Sequence, residues 1–593
     1  MTGTKSSKKV VAAAVSVFML THVLPNKVAI AEYIVPSMPD FSYIGALGSL
    51  TADQTKKAAE TVYDALYFHK DDVNFKSKGI KMTSGNSDQL ISIYRHVAAC
   101  YDVGILVRKG TISYIPSSSI INLSYLYSGS EYEGKYREYS GMLDDILSGV
   151  DQSWSDEEKA LYLHDYISVR FDYDYPAYNG IVTRKNREQY SAYGMLKNGM
   201  AVCEGYSELY AKLMNRLGIR TELVTSDEMK HAWNRVDIDG NKYYVDVAWD
   251  DSFYGYSGIV KHTNFLRTAP EMRFENHDCT DWKDTFGNNI YSEYVPDTFS
   301  DAFWLKSRAA IKPYDEGWLV ISGNPNELTA EMVKYDSEKH KAASKGILTD
   351  IPSSLATWYV WGNPYSYWTE SFTVTEVVNG MLYYSTPSAI YSYCNGQNVK
   401  VYELNDNEKK TGYIYGLYAD GETLYYGLDT EYHHVGRNAD VPIKYNGISV
   451  SVLEAKAKSE AGAAEEEPEV TAAQTMTKAG LTAVSTSAEA NSAAPPQTYV
   501  TAASMTVQQS KGDVDYDGMI NAVDASVILS YYAGLSTGKD RGFSAVQKQT
   551  ADVNRDGVID AVDASYILSF YAFLSTHTET LNMDEFIDKR RIR

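Results

Sequence analysis

Three side chains in the middle of this chain have the types needed for acyl transfer through a thiol: Cys203, His231 and Asp246. Such chemistry requires a thiolate that attacks, an imidazole that exchanges protons, and a group that holds the imidazole. Cys203 stands in Gly199-Met200-Ala201-Val202-Cys203-Glu204-Gly205-Tyr206, where a helix is expected to begin. The partial positive charge of a helix N-terminus favours a thiolate, and the free N–H groups there can hold an oxyanion. His231 opens His231-Ala232-Trp233-Asn234, and Asp246 lies in Tyr244-Val245-Asp246-Val247-Ala248-Trp249-Asp250-Asp251. Taken alone, Cys203 reads first as a small buried hydrophobe. Asn198 and Tyr193 are the upstream candidates for an additional oxyanion donor.

The surrounding pattern supplies elements to carry these residues. Ser155-x-x-Glu158 has capping-box spacing ahead of a helix reaching about Val169. His164-Asp165 falls inside that helix and reads as a packed histidine beside a helical neighbour. A second helix is expected from Cys203 to Gly218, a suitable C′ residue. Strands follow at Thr221 to Val224, Ala232 to Ile238 and Tyr243 to Trp249, with Asp239-Gly240-Asn241 as the hairpin turn. A two-residue turn at Gly240-Asn241 pairs Asp239 with Lys242 and puts Arg235 opposite Asp246. In that register His231 lies four residues further along, so contact with Asp246 needs a bulge or another register.

A second kind of chemistry is written near the C-terminus. Residues 513–537 and 552–576 repeat with an offset of 39, and 18 of 25 aligned positions are identical. Each copy opens with acidic or amide side chains at loop positions 1, 3, 5, 9 and 12 and a glycine at position 6. That spacing wraps oxygen ligands onto one hard cation, as in an EF-hand loop. The first set is Asp513, Asp515, Asp517, Asn521 and Asp524, with the Met519 carbonyl. The second is Asp552, Asn554, Asp556, Asp560 and Asp563, with the Val558 carbonyl. Position 12 is Asp instead of Glu, and no amphipathic helix precedes the first loop, so each copy is a loop plus a single helix.

Two family resemblances rest on these residues. Over roughly residues 150–265, the VCEGYS block, HAWN and YYVDVAWDD resemble the transglutaminase-like (papain-like) superfamily, which has the same order of Cys, His and Asp. The resemblance implies Cys203 as nucleophile, His231 as general base and then acid, and Asp246 as orienting carboxylate, with no cofactor for catalysis. Members of that superfamily are transglutaminases, thiol peptidases, deglycosylating amidases or inactive binding modules. The doubled loop resembles a type I dockerin, and AVDAS in both copies looks most like dockerins of rumen-type bacterial cellulosomes. That likeness implies two Ca²⁺ ions and a cohesin module of a scaffoldin as partner. Loop positions 10 and 11 then face the cohesin: Ala522 and Val523, and Ala561 and Val562. Their identity in the two copies permits two binding orientations. Many dockerins carry hydroxyl side chains there, which leaves the cohesin class open.

The remaining chain frames a multidomain protein. Lys5, Lys8 and Lys9, the apolar run Val10 to Leu24 and Ala29-Ile30-Ala31 read as a signal peptide over 1–31. A lead-in domain is expected at 40–149, with a helix from Thr51 to His69 and a strand at Ile112 to Ile115. An α+β transglutaminase-like core follows at 150–270. Residues 300–450 are β-rich and weakly repetitive, either propeller-like or stacked hairpins, with polar-Gly turns at Gly317, Gly380 and Gly421 that are 63 and 41 residues apart. Their Trp and Tyr residues invite a sugar- or peptide-stacking role, against ordinary strand aromatics. A Glu-, Ala- and Ser-rich flexible linker is expected at 455–508, and the small helical calcium-binding module at 510–577.

With 77 acidic against 55 basic residues in 593, the net charge of −22 argues against a nucleic-acid partner. Removing residues 1–31 takes away four lysines and no acid, giving −26, and two bound Ca²⁺ return it to −22. Part of the acidity is thus metal-binding equipment. After the signal peptide no run of 18 apolar residues remains, so no membrane span is expected in the mature chain. Asp250-Asp251 lies too close to Asp246 to span a sugar, and no paired-carboxylate glycosidase site is evident. The expectation is a secreted, extracellular thiol enzyme of a cell-surface cellulosome acting on a protein or peptide. The alternatives are a non-catalytic binding component and a protein-crosslinking transglutaminase.

Overall fold

The computed structural model describes residues 38–107, 113–251, 258–322, 328–351, 355–360, 363–367, 372–430 and 444–463, with 511–512, 514, 520, 522–536, 543, 545–555, 557–576, 582–583 and 586–587. The signal-peptide assignment at 1–31 and residues 464–508 of the linker lie outside these. The described residues fall into two compact units, one within Met1–Val97 and Ser113–Leu123, the other within Ala98–Ile112 and Ser124–Arg593.

In the first unit Thr51 and Gln54 form a capping box that starts α1 (Ala52–Tyr67). Ala58, Val62, Ala65 and Leu66 recur at helical spacing and are buried as one stripe. α2 (Ser87–Cys100) follows β1 (Asp72–Asn74). β2 (Ser113–Ile115) and β3 (Ile120–Asn122) complete a small antiparallel sheet of order β1-β3-β2.

The second unit begins with α3 (Gly129–Leu147) and α4 (Asp156–Arg170), the latter opened by the expected Ser155/Glu158 capping box. β4 (Asp172–Tyr173) leads into the single turn α5 (Tyr175–Tyr178) and then α6 (Ala192–Asn198). β5 (Met200–Ala201) pairs parallel with β4 and delivers the chain into α7 (Cys203–Arg216). α7 is the axis of the core, buried at Cys203 and without a break from Gly205 to Met214. Gly205 is required at its start, because a Cβ there would stand 2.5 Å from the Ala201 Cβ. Even Lys212 is sealed in, its ammonium donating to the carbonyls of Ala98 and Tyr101.

A three-stranded antiparallel sheet of order β6-β7-β8 covers α7: β6 (Thr221–Ser226), β7 (His231–Ile238) and β8 (Asn241–Val245). Its hairpin corrects the sequence-based register. The turn is Asp239-Gly240, with φ of 52° and 78°, the left-handed pair that a two-residue hairpin of right-handed twist demands. Ile238 therefore faces Asn241, and Arg235 faces Tyr244, not Asp246. The third strand also stops early. Asp246 caps a one-turn helix, α8 (Val247–Asp250), so Trp249 is helical. α9 (Ala269–Phe274) follows behind another capping box, Thr268 and Glu271.

The strands Lys312–Tyr314, Gly317–Ser322, Leu328–Asp336 and Lys341–Ile351 form a four-stranded antiparallel sheet whose two faces serve two cores. Trp318, Val320, Val333 and Tyr335 join the core around α7, while Leu319, Ile321, Leu328 and Ala330 join a second core. Further open antiparallel sheets follow: a pair at 359–367, four strands within 375–403, and three within 413–449. The β-rich region is thus built of several separate antiparallel sheets, and none of the sheets among the described residues closes into a barrel. Trp318, Tyr383 and Tyr384 on strands, and Trp358 just before one, are buried in the cores, so these aromatics pack the interior.

The linker boundary also needs correction. Residues 455–463 belong to α10 (Val450–Ala463), which buries Val450, Leu453, Ala457 and Ala461 against the second core. Its alanines sit at the helical spacing that composition alone does not register. The C-terminal module consists of α11 (Ala522–Ser536), α12 (Ala545–Ala551) and α13 (Ala561–Thr576), with a small core of its own. No described helix is long and apolar enough to cross a membrane.

Candidate functional site

The fold brings Cys203, His231 and Asp246 together. Val202, extended before α7, leaves Cys203 as the first helical residue, 8% exposed. His231 opens β7, and its Nε2 lies 2.6 Å from Oδ2 of Asp246. The observed register makes this possible. Extended by one residue past Asn234–Val245, it sets Asp246 opposite Trp233, with His231 as the diagonal neighbour on the same face. Burial alone would drive the His231 imidazolium down. The Asp246 carboxylate overrides this, and hydrogen bonding to Cys203 adds to it, so the pKa rises to about 10. Burial would raise the Asp246 carboxyl, but the two facing imidazoles hold it well below the usual carboxylate range.

Three neighbours of this line escape sequence reasoning. Trp249, in α8, stacks on the His231 ring at 4.9 Å and 26°, and is half-buried. Its backbone N–H donates to Oδ1 of Asp246 at 3.1 Å. Tyr173, on β4, hydrogen-bonds the Cys203 backbone, and burial raises its phenol pKa strongly. His277, beyond α9, puts Nε2 within 2.9 Å of Oδ2 of Asp246. A period-based signal could not find these, because they come from three separate segments.

The two oxyanion candidates are used elsewhere. Tyr193 is buried against Tyr139, and the Asn198 amide donates to Glu188 at 3.2 Å. The expected bland role of His164-Asp165 agrees with the structure: both are buried in a hydrogen-bonded network with His262 and Asp250. No disulfide joins any of the four cysteines, and burial drives the Cys100 thiol far upward.

The C-terminal loops present oxygen donors suited to a hard cation. Asp524 and Asp563, at position 12 of the two loops, are fully buried. Asp524 Oδ1 accepts from Val514 N at 2.6 Å. Asp563 accepts from Asn554 N at 3.2 Å and Asp560 N at 3.0 Å, folding the second loop around its carboxylate. Asp552 Oδ2 accepts from Gly557 N at 3.1 Å, and Gly557 has the φ of +86° that the sharp turn needs. Asn554, Val558 and Asp560 complete the described donor set. Asp513, Asp515, Asp517, Met519, Asn521 and Asp556 lie outside the described residues, as do the side chains of Ala522 and Val523. Ala561 and Val562 are exposed at the start of α13.

Comparison with known proteins agrees with both regions. The transglutaminase-like superfamily model matches residues 144–247, and the dockerin type I domain model matches residues 511–568. The kyphoscoliosis peptidase of Homo sapiens is 22% identical over 178 residues, 25% of this chain and 26% of that protein. The kyphoscoliosis peptidase of Mus musculus is 24% identical over 166 residues, 25% of this chain and 24% of that protein. The chain thus spans about a quarter of the length of these curated relatives. A crystal structure of a TGase overlaps 23% of this chain and 43% of its own at 17% identity, with a TM-score of 0.18.

The chain therefore carries a transglutaminase-like core, of the kind found in thiol acyltransferases and peptidases. It also carries a C-terminal type I dockerin, a calcium-binding module whose partner is a cohesin and which marks a cellulosome component.

Proposed function

We propose that this protein is a secreted, scaffoldin-bound thiol hydrolase that cleaves peptide or amide bonds through a Cys203 thioester. The observation that carries this reading is the line from Cys203 through His231 to Asp246, closed at 2.6 Å on its far side. The Cys203 thiolate attacks the carbonyl carbon, and a tetrahedral oxyanion forms at the start of α7. The His231 imidazolium gives its proton to the leaving amine, which departs as the thioester forms. His231 then takes a proton from water, whose oxygen attacks the thioester, and the thiolate leaves. Asp246 keeps the imidazole in the tautomer that directs Nδ1 at sulfur.

The dockerin anchors the enzyme with two Ca²⁺, one per loop, after a signal peptide at 1–31 has exported the chain. Beside Val562, the module exposes Leu529 and Tyr532 on α11 and Leu568 and Tyr571 on α13. These pairs are 39 residues apart, so the repeat presents the same apolar face twice. This supports a cohesin bound in either of two orientations, with Ala522, Val523, Ala561 and Val562 at the loop ends.

The test incubates wild type and Cys203→Ala with a labelled protein and with chloroacetamide. Wild type should hydrolyse the protein and alkylate rapidly at Cys203; absence of hydrolysis, of amine incorporation and of fast alkylation would sink the enzyme reading. Amine-dependent ammonia release would redirect it to transglutamination. Cohesin binding should vanish on calcium chelation and return with added Ca²⁺; binding that survives chelation contradicts the anchoring role.

A further inference from the structure

Asp246 is gripped by more than the triad requires. Its Oδ1 accepts the Trp249 N–H, and its Oδ2 faces both the His231 and the His277 Nε2 atoms. An ionised carboxylate only accepts, so each imidazole must present Nε2–H to that one oxygen. His277 is fully buried in an aromatic cage, with Trp249 at 4.3 Å, Trp233 at 5.1 Å and Trp282 at 6.3 Å. Its backbone N–H donates to the Met272 carbonyl at 3.0 Å, which fixes the residue to the end of α9. Its Nδ1 meets no hydrogen-bond partner among the described residues. A buried ring nitrogen left bare costs stability. An imidazole kept there at that cost makes its one polar side-chain contact with Asp246.

We infer that His277 is a positioning residue for the Cys203–His231–Asp246 site, clamping Asp246 Oδ2 with its Nε2–H. Two consequences follow from the shared oxygen. The clamp stops the carboxylate from swinging, so the His231 ring is held with Nδ1 toward Cys203. It also draws charge from Oδ2, which moderates how strongly Asp246 retains the His231 proton. The inference rests on the thiol-enzyme reading.

The experiment follows alkylation of Cys203 by chloroacetamide in the full-length protein from about pH 4 to about pH 11, read by mass spectrometry of the Cys203 peptide. His277→Phe keeps a ring and removes the donor. His277→Gln returns an amide N–H close to where Nε2 stood. The charged or titratable groups facing the two imidazoles are Asp246 at the cap of α8, Cys203 on α7 and Glu275 after α9. Both variants leave all three in place.

In His277→Phe the basic limb, where the His231 imidazolium loses its proton, should move up by about half to one pH unit. His277→Gln should bring it back to within about 0.2 unit. A purely structural residue would lower the rate without moving the limb; an unmoved or lowered limb, or no rescue by Gln, overturns the inference. If His277→Phe does not fold, proton NMR of wild type and His277→Gln decides. Beside the far-downfield imidazole N–H resonances of His231 and of the His164–Asp165–His262 set, wild type should show one more that His277→Gln removes; a wild-type spectrum that loses no such resonance in His277→Gln overturns the clamp. Wild-type Cys203 that reacts no faster than a free thiol overturns the thiol-enzyme reading itself, whereas a normal wild-type profile unmoved by His277→Phe defeats the clamp alone.

Discussion

The core holds two sets of His, Asp and His, and they differ in what they leave open. In His231–Asp246–His277 the carboxylate lies between two imidazoles at 2.6 and 2.9 Å. In His164–Asp165–His262 it does so at 2.7 and 3.0 Å. The second set is closed on the protein itself. Asp165 Oδ2 accepts from Ile311 N at 2.6 Å, and His262 Nδ1 lies 3.1 Å from the Ser307 carbonyl. His164 Nε2 is 3.3 Å from Asp250, whose carboxylate accepts from Asn264 N and Nδ2 and from Thr263. That network ties α4 to residues 262–264 and to the entry of the first β-rich sheet. The first set instead reaches a sulfur, beneath a half-buried tryptophan. Identical side chains make a brace where Asp165 and His262 are also tied to backbone, and a reactive centre where one imidazole nitrogen faces a nucleophile.

The largest effect that would break this contrast is chemical. His231→Ala should slow Cys203 alkylation at neutral pH, and any turnover, by about 10²–10⁴-fold. His164→Ala should leave that rate within about tenfold once the protein is folded. Equal losses in both would show that the two sets share one task.

The next effect is on stability. Asp165→Ala leaves two buried imidazoles and the Ile311 N–H without their shared acceptor, and should cost about 3–5 kcal/mol of unfolding free energy. Chemical denaturation of the full chain, followed by core tryptophan fluorescence, reads this. A loss below about 1 kcal/mol would mean the network is not a brace.

A smaller effect tests whether the sets communicate. α8 is a single turn with Asp246 at its cap and Asp250 at its last residue, so each end belongs to a different set. Asp250→Asn should cost about 1–3 kcal/mol by weakening the hydrogen bonds to Asn264 and Thr263. Through the shifted turn it should also slow Cys203 alkylation severalfold. Stability lost with reactivity intact would show α8 to be stiff enough to keep the two independent.

The sequence made the two sets look different from how they are. Cys203, His231 and Asp246 were legible because three short strings carry them. The distance between the last two was not, since it depends on which residues take positive φ in the turn. Placing that turn at Asp239-Gly240 shifts the pairing by two residues, preserves every side chain's face and closes the contact. His277 was invisible, 31 residues beyond Asp246 in Asn276-His277-Asp278-Cys279, a segment without periodicity. His164-Asp165 was visible as adjacent residues, yet the partners that make it a brace arrive from 262 and 250. The order of the doubled loop could be read because its oxygen side chains are local in sequence, though of the first set only Asp524 falls among the described residues. The paired apolar faces at Leu529, Tyr532, Leu568 and Tyr571 were within reach of the same 39-residue offset, but exposure is a property of the folded helices. The start of the linker was misplaced because composition does not register the helical spacing of the α10 alanines.

The smallest effect is a slope with pH, and it separates the brace from the reactive set by titration. Burial would lower the His164 pKa, but Asp165 and Asp250 reverse this and push it up to about 9. Its folded value lies above the unfolded value of about 6.5. The stability it contributes is therefore complete below about pH 6.5 and is lost as pH rises through about 9. His231, raised to about 10, adds a loss that extends slightly further. The Asp165 carboxyl, raised by burial but held far down by His262 and His164, acts in the opposite window: its contribution is present above about pH 4 and is lost in stronger acid. Wild type should thus be most stable between about pH 4 and pH 6.5 as far as these groups decide it. In His164→Gln the alkaline loss should shrink while the part due to His231 persists. The difference between the two unfolding curves, measured from about pH 6 to about pH 10, isolates His164. A sloping difference places a charged imidazole in the brace, and a flat one would leave the brace held by neutral hydrogen bonds.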